Sequence, residues 1–88
     1  MKRVVKVQEI EADGLVSLLG KKIYVQGCRY SYSGILSGVN DDCICIENPG
    51  IVYETGQWEL DNWKDVQSLG VSECFVQKAA IEMVMEGK

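Results

Sequence analysis

Histidine is absent from the 88-residue sequence, and both cations and long apolar runs are scarce. Because histidine is the commonest general base and a frequent metal ligand, its absence argues against Ser–His or Cys–His catalysis and against most zinc and iron sites. The longest unbroken apolar run is residues 43–46, which is too short for a signal-peptide core or a membrane span. We therefore expect a cytoplasmic protein that is not an enzyme, needs no cofactor and does not enter a membrane.

The shortage of basic residues limits which partners the chain can bind. Nine Lys and Arg against thirteen Asp and Glu give a net charge of −4. Counterion release needs clustered cations, so an acidic chain is a poor default binder of nucleic acid or anionic lipid. Residues 1–30 contain six cations and three anions, whereas residues 41–65 contain seven carboxylates and one lysine. The first segment is thus the better candidate to meet phosphate, and the asymmetry favours head-to-tail docking of subunits.

The short chain also limits the core, and we expect a single domain over residues 1–88. A domain of this size gains stability when subunits share burial, which favours a homo-oligomer. Its cysteines lack the paired Cys-x2-Cys spacing of structural zinc sites, and their apolar neighbours predict reduced core thiols without a metal. They are Cys28, Cys43, Cys45 and Cys74.

The apolar pattern predicts a mainly β domain that begins with a short helix over residues 9–19. Two glycines, Gly34 and Gly38, fall inside one strand and predict a sharply curved strand in a small barrel. A turn at residues 40–42 and a tight corner at Lys78-Ala79 separate other strands. The five predicted strands span residues 21–30, 31–39, 43–47, 72–77 and the segment that runs from the corner through Met85.

A long insert over residues 49–71 separates the third and fourth predicted strands. Asn48-Pro49-Gly50 is expected to end the third strand, and Asp61 is a suitable N-cap for a short helix through Ser68. Long loops in compact domains are usually functional or disordered, and the aromatic content of this one argues against disorder. A lid, a pocket wall and a subunit contact are all open as its role; we favour a pocket wall at a subunit boundary, with a purely structural cover as the alternative.

The strand order and two short segments resemble the Sm-like family. Residues 34–40 (GILSGVN) resemble its first signature, and residues 76–81 (VQKAAI) resemble its second. The resemblance covers residues 10–48 and 72–85 and implies a five-stranded Sm-like (SH3-like) barrel. It also implies ring-like assembly, in which the fourth strand of one subunit pairs with the fifth strand of the next. The family's uridine-binding residues are largely missing, because Asn40 replaces Asp, Ile44 replaces Asn and Gln77-Lys78 replaces Arg-Gly.

A narrower resemblance connects residues 30–34 (YSYSG) and 51–56 (IVYETG), with Trp63-Lys64-Asp65 downstream, to small proteins of phages and mobile elements. Some phage proteins of related small-barrel fold capture nucleotide-derived immune signals in pockets between subunits. This resemblance implies a protein that works in the host cytoplasm by sequestering such a ligand.

Aromatic residues around one arginine form the predicted ligand site, since aromatic rings stack on bases and a guanidinium pairs with phosphate. The predicted ligand-binding residues are Arg29, Tyr30, Tyr32, Tyr53, Glu54 and Trp58. A competing interpretation is that Tyr24 and Tyr32 pack the barrel while Trp58 and Trp63 hold the insert.

Two other functions stay open. One is binding of RNA or single-stranded DNA, with steep salt dependence. Its cations would be Lys2, Arg3, Lys6, Lys21, Lys22 and Lys78. The other is a structural or protein-interaction module, in which the aromatic side chains only fill the core and the interfaces.

Overall fold

Six antiparallel strands and two 3₁₀ helices make up residues 14–88, the part of the chain that the computed structural model describes. The first 3₁₀ helix, Gly14–Leu18, precedes β1, and the second, Lys78–Ala80, joins the last two strands. The strands are β1 (Lys22–Gly27), β2 (Ser31–Val39), β3 (Cys43–Glu54), β4 (Asp65–Ser68), β5 (Glu73–Gln77) and β6 (Ile81–Glu86). Within this part of the chain, no helix is both long and apolar enough to cross a membrane.

The strands form one sheet in the order β4-β3-β2-β1-β6, with β5 also paired to β3. The mainly β prediction is confirmed. The predicted barrel is not closed, however, because no ladder joins β5 to β6 within residues 14–88 and the sheet stays open. Among the strands of residues 14–88, β4, β5 and β6 therefore each have one edge whose backbone groups have no strand partner.

The bend in β3 corrects one sequence prediction. Asn48-Pro49-Gly50 does not end the strand, which continues for 12 residues to Glu54. Asn48 adopts a φ of 50°, and asparagine is among the few non-glycine residues that tolerate this region. The strand thus bends without breaking, and its first half pairs with β5 while its second half pairs with β4.

The predicted helix in the insert is wrong. Asp61 caps no helix, and Asp65–Ser68 forms β4 against the second half of β3. The exposed backbone edge of β3 offers these residues a ladder, which outweighs their weak local helical preference. The insert therefore consists of the end of β3, a loop over residues 55–64, and β4 with its flanking residues.

The predicted N-terminal helix is seen only in part. Residues 14–18 form the first 3₁₀ helix, shorter and tighter than expected, and residues 9–13 lie outside the described part of the chain. The boundaries predicted for the second strand, residues 31–39, are confirmed. The ladder between β2 and β3 shifts register next to Gly34 and Gly38, the two glycines expected to bend the strand.

Alternating side chains give the sheet an inner and an outer face. The inner face holds the main core, in which Ile23, Leu36 and Ile44 are fully buried. The outer face holds a smaller cluster of Tyr24, Val52 and Trp63. The 55–64 loop brings Trp63 onto this outer face, so the insert covers the side of the sheet opposite the main core.

Candidate functional site

One cavity of about 330 Å³ brings three of the predicted site residues together. The turn between β1 and β2 supplies Arg29 and Tyr30, and β2 supplies Tyr32. Val76 of β5 and Ala80 of the second 3₁₀ helix form the opposite wall. We call this the arginine–tyrosine cavity, and it lies where the β1–β2 turn meets the corner before β6.

Backbone hydrogen bonds fix the turn that presents Arg29. The Gly27 N–H donates to the Tyr30 carbonyl at 2.9 Å, and the Cys28 N–H donates to the Ala80 carbonyl at 2.9 Å. The second bond connects the β1–β2 turn directly to the second 3₁₀ helix, which precedes β6. A side chain at position 27 would lie 2.9 Å from the Tyr30 carbonyl oxygen, so glycine is required for this close approach.

The polar groups of the arginine–tyrosine cavity are accessible. Arg29 is exposed, and within residues 14–88 no carboxylate lies within salt-bridge distance of its guanidinium. Tyr30 is 51% exposed, whereas Tyr32 is half-buried and packs against the main core. The cavity thus combines an accessible cation, one accessible ring and one anchored ring.

The other predicted site residues lie elsewhere. Tyr53 is exposed near the end of β3 and does not line the arginine–tyrosine cavity. The Glu54 carboxylate pairs with Lys64 Nζ at 3.3 Å on the surface. Trp58 lines a different cavity, so within one chain the six predicted residues do not share one cavity.

Trp58 belongs to a second cavity of about 360 Å³, which we call the tryptophan–methionine cavity. Its walls include Trp58, Trp63, Met83, Met85 and Lys88. Sequence analysis missed the two methionines and the lysine. The alternation of Met83 and Met85 in the last strand was the available signal, because both side chains of such a pair lie on the same face of a sheet.

Two residues that line the tryptophan–methionine cavity, Trp58 and Trp63, form an aromatic cluster with Tyr24. The Tyr24 ring centroid lies 4.8 Å from that of Trp63 and 5.5 Å from that of Trp58. The two tryptophan rings are perpendicular, with centroids 5.6 Å apart. Such edge-to-face packing is favourable for aromatic rings and fixes the 55–64 loop on the sheet. Trp58 and Trp63 thus hold the insert, as the competing interpretation expected.

The cysteines are not the core thiols that the sequence predicted, since Cys28 is exposed and Cys43, Cys45 and Cys74 are half-buried. The Cys45 thiol donates to Glu73 Oε2 at 3.4 Å. The Ser37 hydroxyl lowers the pKa of Cys45, but burial and the negative charge and hydrogen bond of Glu73 outweigh it and raise that pKa. Burial also raises the pKa of Cys74. Residues 14–88 contain no group of three or more His, Cys, Asp or Glu placed to hold a metal ion.

Comparison of the chain with protein-family models, curated proteins and solved structures finds no match.

Proposed function

We propose that this chain is a non-enzymatic, oligomeric binding protein that sequesters a small nucleotide-derived ligand in the arginine–tyrosine cavity. The observation that supports the proposal most directly is the convergence of Arg29, Tyr30 and Tyr32 on one cavity. Sequestration needs only affinity and a protected site, which agrees with a cavity that has no nucleophile–base pair beside it.

The chemistry of the cavity suits a base joined to a phosphate. An exposed tyrosine ring offers a stacking surface worth about 1–3 kcal/mol per base. The Arg29 guanidinium binds phosphate oxygens bidentately without first breaking an ion pair to residues 14–88. The volume of about 330 Å³ lies at the lower end of the roughly 300–1,000 Å³ usual for ligand sites. A small nucleotide therefore fits this cavity better than an extended strand does.

Assembly belongs to the same proposal. The strands that the Sm-like resemblance assigns to subunit contacts correspond to β5 and β6, and within residues 14–88 each of them, like β4, has one edge without a strand partner. Phe75 of β5 is 64% exposed, an unusual position for a large apolar side chain on an edge strand. Because Val76 lines the arginine–tyrosine cavity from β5, a neighbouring subunit paired to that edge would stand next to the cavity. Subunits joined in this way would complete an Sm-like ring.

Native mass spectrometry of protein purified from cells under mild conditions tests the proposal. An oligomer that exceeds a whole multiple of 9.8 kDa by the mass of one small molecule per site supports it. Bound nucleic acid, lost steeply as salt is raised, would favour the RNA or single-stranded DNA alternative. An oligomer or monomer with no bound molecule would favour the structural alternative.

A matched pair of variants locates the ligand. Arg29→Ala is expected to abolish the captured mass and leave the oligomer intact, because the exposed guanidinium supports no packing. Lys64→Ala removes a cation outside the arginine–tyrosine cavity and is expected to retain the ligand. Capture that survives in Arg29→Ala would show that the ligand lies elsewhere.

A further inference from the structure

The tryptophan–methionine cavity lies on the outer face of the sheet and takes no part in the function proposed above. We propose that it is a second ligand site, which binds a flat aromatic anion between its apolar walls and Lys88. The argument rests on the shape of the walls, on a buried donor without an acceptor, and on the position of one ammonium group.

The walls suit a flat ring. Trp58 stands perpendicular to Trp63, and Met83 and Met85 of β6 complete an apolar slot. Trp58 is 51% exposed and Met83 is 40% exposed, so a ring that enters the slot removes apolar surface that the protein alone leaves in water. Thioether groups also pack favourably against aromatic rings.

The Trp63 indole supplies an unused hydrogen-bond donor. Its side chain is buried, at 7% exposure, and its Nε1–H has no acceptor among residues 14–88. A buried donor without an acceptor is rare in folded proteins and calls for a specific explanation. The Nε1 atom has less than 1 Å² of accessible surface, so a ligand oxygen reaches this N–H when a neighbouring side chain shifts, and would then satisfy it.

The Lys88 ammonium sets the sign of the ligand charge. Its Nζ lies over the Trp63 ring, 4.6 Å from the centroid, and donates to the Gln57 carbonyl at 2.9 Å. An ammonium has further N–H groups for a ligand oxygen. The one carboxylate side chain among the lining residues, that of Glu86, is 3.7 Å from Lys21 Nζ and so has a cation of its own.

An organic cation suits the site less well than an anion. The Trp63 ring face that would attract a cation already has the Lys88 ammonium above it. A cationic ligand would have to displace this tethered group, whereas an anionic ligand gains from its charge. A carboxylate or phosphate would also supply the acceptor that the indole N–H lacks among residues 14–88.

Nuclear magnetic resonance of ¹⁵N-labelled protein tests the proposal, because the chain has two tryptophans and hence two indole N–H signals. A Trp58→Phe variant assigns them. The probes are 2-naphthoate, 2-naphthyl phosphate and (2-naphthylmethyl)ammonium, which share one ring system and differ in charge. We expect both anions to shift the Trp63 indole signal in a saturable manner and the ammonium probe to shift it far less. The two anions together distinguish a carboxylate ligand from a phosphate ligand.

Two variants separate this site from simple adsorption to exposed tryptophan. Lys88→Gln is expected to weaken binding of the better anion by about tenfold or more, the usual effect of losing a charged hydrogen-bond partner. Lys64→Gln changes a cation that does not line this cavity and is expected to bind as the wild type does. A dispersed spectrum for each variant confirms that it is folded.

The proposal is overturned if the ammonium probe binds as tightly as the anions, if no probe shifts the Trp63 signal, or if Lys88→Gln leaves the affinity unchanged. The Arg29→Ala variant is expected to bind the naphthyl anions normally, because Arg29 does not line this cavity. The proposals for the tryptophan–methionine cavity and for the arginine–tyrosine cavity are therefore tested independently of each other.

Discussion

At the scale of single residues, Gly34 marks a close approach between β2 and β3. A Cβ atom at this position would meet the Ile46 side chain and lie 2.7 Å from the Glu47 carbonyl oxygen. We expect Gly34→Ala to lower the free energy of unfolding by about 1–3 kcal/mol, the usual cost of overpacking. Urea denaturation followed by tryptophan fluorescence measures the change.

Gly38 provides the matched control for that variant. It lies in the same strand, and a Cβ atom there would be 3.4 Å from the Cys45 Cβ, an ordinary packing distance. Gly38→Ala is expected to leave stability within about 1 kcal/mol of the wild type, since it also restricts the unfolded chain. If the two variants were equally stable, the close approach at Gly34 would have no energetic importance.

The cysteines give a second prediction at this scale. The raised pKa values of Cys45 and Cys74 lower the fraction of thiolate at these positions, and the thiolate is the nucleophile. Cys28 is exposed. We expect iodoacetamide at pH 7.5 to alkylate Cys28 first, with the rates at Cys45 and Cys74 rising only as the pH increases. Peptide mapping over a time course measures these rates.

Unfolded protein is the control for the thiol experiment. In strong denaturant the folded environments are lost, so the four cysteines should react at similar rates. Equal rates at Cys28 and Cys74 in the native protein at pH 7.5 would contradict the burial that raises the Cys74 pKa.

At the scale of secondary-structure elements, the sequence predicts strands well where the pattern is local. In β2 the boundaries agree because a turn signal at residues 40–42 follows the strand directly. There the Asn40 side-chain oxygen accepts hydrogen bonds from the Asp42 and Cys43 N–H groups at 2.7 and 2.8 Å. In β3 the alternation is local as well, with Ile44 buried and Cys43 half-buried.

The failures at this scale depend on contacts distant in sequence. Asp65–Ser68 is a strand because the second half of β3 offers it an edge, and that edge exists only because β3 passes through Asn48 without ending. Every β4 residue is exposed. Its sequence therefore shows no alternation of apolar and polar residues from which a strand could be predicted. Local propensity contains no information on a ladder that the fold creates.

The 55–64 loop yields a prediction about its anchor. Trp63 is buried against Tyr24 and Val52, so Trp63→Ala is expected to lower the free energy of unfolding by about 3–5 kcal/mol. Trp58 is half-exposed, and Trp58→Ala is expected to cost clearly less. Thermal denaturation followed by circular dichroism compares the two variants. Equal losses would mean that the loop is held at both tryptophans to the same extent.

At the scale of the whole molecule, sequence analysis recovered part of the candidate site. Arg29 and Tyr30 are neighbours in one turn, and Tyr32 follows in the adjoining strand, so their shared cavity is a local consequence of the chain. Within one chain Trp58 lies apart from these three residues, because the residues around it come from β6, from Trp63 and from Lys88. The open sheet was also beyond prediction, since closure depends on how the distant strands β5 and β6 meet.

The edges of β5 and β6, which have no strand partner within residues 14–88, make the oligomer the most informative property of the whole molecule. If β5 of one subunit pairs with β6 of the next, Phe75 is covered by the neighbour, and a charge in its place would be buried without a partner. We expect Phe75→Asp to yield monomers in sedimentation velocity while the circular dichroism spectrum stays unchanged. Val71→Asp places the same charge on an equally apolar, 53% exposed position outside the strands and should leave the oligomer intact. A wild-type protein that stays monomeric at high concentration would rule out edge pairing, and the arginine–tyrosine cavity would then have to bind its ligand within a single chain.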